Sequence, residues 1–66
     1  MNKIYTERTI DLDGEQLIVS EDGDGLGLLE LRLVEGTSRK LLARISMKKE
    51  DASLLIKAIS DTIPEL

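Results

Sequence analysis

The sequence predicts a small α+β domain: a four-stranded antiparallel β-meander with one C-terminal α-helix packed on one face, in the order β-β-β-β-α. Three observations predict it. Apolar residues alternate with a period of two through four separate segments; Gly and Asp clusters separate those segments; and the period changes to 3.6 in the C-terminal third.

The first strand is read from Ile10 and Leu12 alternating with Thr9, Asp11 and Asp13. Asp13-Gly14 then gives a two-residue hairpin signal of the type I′ kind, which needs positive φ at both central positions. The second strand follows from Leu17 and Val19 set between Gln16, Ile18 and Ser20, and the Asp22-Gly23-Asp24-Gly25 stretch reads as a longer loop. Leu29, Leu31 and Leu33 mark the third strand, and Glu35 to Arg39 the next loop. Leu41, Ala43, Ile45 and Met47 mark the fourth.

A consistent register follows. A turn at Asp13-Gly14 pairs Ile10 with Leu17. A loop from Asp22 to Leu26 pairs Leu17 with Leu31, and a loop over Glu35 to Arg39 pairs Leu31 with Ala43. All three hairpins then place the same residues inward, and a slip of one residue would reverse a whole strand. Glu30 falls opposite Arg44 on the outward face, as a cross-strand ion pair.

Ala52, Leu55, Ile56, Ile59 and Ile63 fall at i, i+3, i+4, i+7 and i+11, one apolar stripe on a helix from about Lys49 to Thr62. Glu50 and Asp51 suit its first turn, where the dipole favours acids, and Pro64 ends it. Lys48 is a poor N-cap and Ser46 an alternative start. The stripe is expected to cover the inward sheet face.

Composition narrows the functions. The 66 residues fit one domain and contain no His, Cys, Trp or Phe, with Tyr5 the sole aromatic. General acid–base work at neutral pH draws first on His, and zinc sites on His and Cys, so those routes are closed. A core this small leaves a few kcal/mol of stability, and without disulfides or thiolate metal sites the remaining supplement is oligomerisation. The expectation is a homodimer that also contacts an unidentified protein. With no apolar run longer than three residues and no basic-plus-apolar leader after Met1, the expected setting is the cytoplasm, away from membranes.

Charge is polarised along the chain. Residues 1–35 carry nine acids and three bases, net −6, and residues 36–66 four acids and six bases, net +2. The net −4 gives no general attraction to nucleic acid, although Arg39, Lys40, Arg44, Lys48 and Lys49 cluster.

Three site hypotheses fail, on spacing, on the element that follows and on concavity in turn. An EF-hand reading of Ser20, Asp22, Asp24 and Gly25 puts Leu31 where the bidentate acid belongs, leaving at most weak cation binding by the Asp22–Asp24 loop. Gly23, Gly25 and Gly27 precede a strand, whereas a dinucleotide fingerprint opens a helix. Asp11, Asp13 and Glu15 could act as paired carboxylates only within a cleft, and a small meander offers little concavity. No enzyme, cofactor or metal is expected.

What remains is surface. Ile18, Leu28, Val34 and Leu42 are surplus aliphatics on the outward sheet face, and Leu54 and Ala58 lie off the helix stripe; these are the protein-interface candidates. The leading expectation is therefore a non-catalytic protein-binding or regulatory module.

The segments Leu29-Glu30-Leu31-Arg32 and Arg44-Ile45-Ser46-Met47-Lys48-Lys49-Glu50-Asp51-Ala52 are organised in a way that resembles the transcriptional-coactivator and Whirly type of single-stranded DNA binders, over about half the chain. Those proteins have a four-stranded meander running into a C-terminal helix that dimerises. The resemblance implies an alternative function, single-stranded nucleic-acid binding, with Arg32, Lys40, Arg44 and Lys48 contacting phosphates.

Overall fold

A computed structural model describes residues 7–21 and 27–66. Four strands, β1 (Glu7–Leu12), β2 (Glu15–Glu21), β3 (Leu29–Glu35) and β4 (Leu41–Met47), form one antiparallel sheet in the order β1-β2-β3-β4, and α1 (Lys49–Thr62) follows. The meander with its C-terminal helix is the expected architecture, and α1 has the bounds that the apolar period and Pro64 define.

The turn chemistry differs in detail. At Asp13-Gly14 only Gly14, with φ 80°, has positive φ, the sign pattern of a type II turn rather than type I′. Gly36 packs against this turn, its N–H donating to the Gly14 carbonyl at 3.1 Å, and a Cβ at Gly36 would sit 3.1 Å from that oxygen. The loop between β3 and β4 closes through two bonds, Glu35 N–H to the Lys40 carbonyl and Arg39 N–H to the Glu35 carbonyl, each 2.9 Å. Arg39 holds φ 64°, which Cβ sterics disfavour.

The first hairpin has the expected register, Ile10 opposite Leu17. The other two are displaced by two residues: Leu17 pairs with Leu33 rather than Leu31, and Leu31 with Ile45 rather than Ala43. Pairing of Glu21 with Leu29 leaves seven residues in the second loop instead of five, and an irregularity at Leu33/Val34 gives β4 one extra residue. Even displacements preserve side-chain parity, so the faces keep their expected residues except at Leu41, which lies beyond the irregularity and pairs with Val34 on the charged face instead of with Leu33.

The helix does not lie on the sheet. The expected packing of α1 on the inward face gives way to a projecting helix in which Ala52 alone is half-buried and every other residue is exposed. Lys48 is the sole residue between β4 and α1 and serves as N-cap without a side-chain bond. Connections between a strand and the helix that packs back on it usually take two to six residues. With a single linking residue, α1 leaves along the direction in which β4 delivers it.

Candidate functional site

Two sheet faces with opposite chemistry result. The charged face is closed by its own side chains. Arg32 on β3 forms an ion pair with Glu7 on β1, so its guanidinium must cross β2. The β2 residues beneath that crossing, Ile18 and Ser20, are the register partners of Arg32 and Glu7, and both are buried, at 6% and 7% exposure. The Glu30 carboxylate holds two guanidinium groups, Arg32 Nε at 3.0 Å and Arg44 Nε at 3.2 Å. This joins β3 to β4 and keeps Arg32 and Arg44, which face each other in register, from meeting as bare like charges.

A second chain of bonds covers the other end. Gln16 Nε2 donates to Asp11 Oδ1 at 2.9 Å, and Arg39 Nη1 donates to Gln16 Oε1 at 2.7 Å. Val34, the register partner of Gln16, is 6% exposed. Long polar side chains thus close over Ile18 and Val34, with Arg32 Nε itself buried and the Glu30 side chain only 14% exposed.

The aliphatic face has no such cover. It carries Ile10 and Leu12 from β1, Leu17 and Val19 from β2, Leu29, Leu31 and Leu33 from β3, and Ala43, Ile45 and Met47 from β4, with Arg8 at the β1 edge and Glu15, Glu21 and Glu35 at the strand ends. None of these is buried, and Ile10 and Ile45 are half exposed or more, at 50% and 55%. Along the helix stripe only Ala52, next to the sheet, is half-buried; Leu55 at 37%, Ile56 at 65%, Ile59 at 51% and Ile63 at 58% are all exposed. Where α1 departs, an open cleft of about 340 Å³ lies between it and the sheet, lined by Val19, Leu29 and Ala52 with Arg8 and Lys49 at its edge.

The predicted interface residues divide accordingly. Ile18 and Val34 are buried beneath the ion-pair roof and contribute no accessible patch, a correction with a physical cause in the side chains that cover them. Leu28 is half-buried, Leu42 is 44% exposed, and Leu54 at 65% and Ala58 are exposed on α1. The residues sequence reasoning passed over as core, Ile10, Ile45, Leu55 and Ile59, are the ones left open. Their alternation was legible, but it does not say which chain covers them.

The nucleic-acid candidates do not gather into one cationic surface. Arg32 and Arg44 are held by Glu7 and Glu30, and Lys40 and Lys48 flank opposite ends of β4. Asp11 and Glu15 belong to opposite faces, as their pairings with Gln16 and Leu12 require, and Asp13 lies in the turn, so these acids do not form a dyad. No group of three or more metal-binding side chains occurs among the described residues, and the Asp22–Asp24 loop lies outside them. No helix among the described residues is long and apolar enough to cross a membrane. Compared with protein-family models, curated proteins and solved structures, the chain has no match.

Proposed function

We propose that this chain is a small non-catalytic protein-binding module of the cytoplasm that works as a homodimer and acts through protein–protein contacts. One observation carries the reading: an entire aliphatic sheet face and an amphipathic helix stripe stand open in the single chain. Ile18 and Val34 are the only buried apolar residues among those described. Fully burying one aliphatic side chain contributes about 1.5–3 kcal/mol, so a partner surface laid on the open face would stabilise the folded chain. With that face covered, exposed Leu42 and Leu54 remain for other contacts.

Sedimentation equilibrium on the purified chain tests this directly. The reading predicts twice the 7.3 kDa chain mass at micromolar concentration. A folded species of 7.3 kDa across the same range would overturn it.

A further inference from the structure

We propose that the two copies meet by reciprocal exchange, the apolar stripe of α1 from each lying on the aliphatic sheet face of the other. This rests on the homodimeric reading above and adds which surfaces join. The arrangement follows from four features of the chain. Both surfaces are built from Leu, Ile, Val and Ala and both are unpartnered, so each supplies what the other lacks. They also match in length: the 14 residues of α1 span about 21 Å, and the seven-residue strands span about 23 Å.

Connectivity favours exchange over self-docking. The one-residue link at Lys48 carries α1 away from its own sheet, as the exposure of every stripe residue after Ala52 shows, and leaves an open wedge beside it. Because every copy offers one helix and one face, a two-fold axis satisfies both pairs at once and closes the assembly at two chains.

Two surfaces of each chain enter the contact, a helix stripe and a sheet face, each about 21–23 Å long. A standard interface takes about 800 Å² from each partner, and obligate interfaces take more.

Charge complementation tests the exchange. Ile59→Glu places an acid on the helix stripe and Ile45→Lys a base on the sheet face, at positions that are 51% and 55% exposed in the single chain. Each variant alone is expected to weaken dimerisation about a hundredfold, as charges buried without a partner do. An equimolar mixture is expected to restore the dimer, because one of its two contacts is then unaltered and the other brings Glu against Lys. Rescue on mixing does not require either variant to fold alone. Glu30→Gln, on the charged face, is expected to leave dimerisation within about threefold of the parent.

Other outcomes overturn the inference in distinct ways. A parent dimer insensitive to Ile45→Lys joins by helices alone, and one insensitive to Ile59→Glu joins by sheets alone. Loss in both variants without rescue on mixing contradicts reciprocal exchange, and assemblies larger than two chains contradict closure. A parent chain that is a folded monomer removes the homodimeric reading together with the exchange.

Discussion

Both faces of the sheet carry aliphatic side chains on the two central strands, Ile18 and Val34 on one and Leu17, Val19, Leu31 and Leu33 on the other, yet one is closed and the other open. On the charged face, Arg32 spans three strands to reach Glu7 and Arg39 reaches Gln16, and Ile18 and Val34 disappear beneath them. On the aliphatic face the long polar side chains stand at the β1 edge, as Arg8, or at the strand ends, as Glu15, Glu21 and Glu35, and Ile10 and Ile45 stay open. A single-layer sheet can close a face with long polar residues placed across its middle, whereas a face with an aliphatic middle must borrow a second layer. In this chain the second layer is present as α1 but is directed elsewhere by the one-residue link at Lys48.

Substitutions on the two faces separate these modes of closure. The largest effect is expected at Ile18, where Ile18→Ala leaves a cavity under the Arg32 crossing and costs about 2–5 kcal/mol in urea unfolding. Ile45→Ala is expected to cost about 2 kcal/mol under the proposed exchange, which lays a partner helix on Ile45; a loss below about 0.5 kcal/mol, normal for an exposed site, would indicate that the face stays wet.

Smaller effects belong to the roof. Glu30→Gln removes the carboxylate between Arg32 and Arg44 and is expected to cost about 1 kcal/mol. The difference from the parent should narrow in added salt, which screens both the lost attraction and the Arg32–Arg44 repulsion. A gap unchanged by salt would assign the loss to packing. Arg39→Gly is expected to be nearly neutral, within about 0.5 kcal/mol by thermal unfolding. Relief of positive φ at 64° offsets the lost bond to Gln16.

Much of this comparison is legible in the sequence because side-chain parity survives error. The second and third hairpins are each displaced by two residues from the expected pairing, since the extra loop residues after Glu21 and the irregularity at Leu33/Val34 leave no signal in alternation, yet Leu17, Leu31 and Ile45 keep their common face. The helix bounds are legible because Ala52 to Ile63 hold a 3.6 period and Pro64 stops it.

The site was harder to read. Glu30 and Arg44 do form an ion pair, but diagonally, with Glu30 opposite Ser46. The Glu7–Arg32 pair joins residues 25 apart, and no local pattern indicates that it will bury Ile18. The destination of the helix stripe was equally hidden. Periodicity shows that Leu55 and Ile59 require burial; it carries no information on whether the covering surface belongs to the same chain.

The most direct test of two-mode closure is the thermal unfolding midpoint measured over about a hundredfold range of chain concentration, since association with the folded state makes stability depend on concentration. A midpoint that climbs steadily with concentration, for the parent and for Ile18→Ala alike, is the result this account predicts. A midpoint independent of concentration would contradict it.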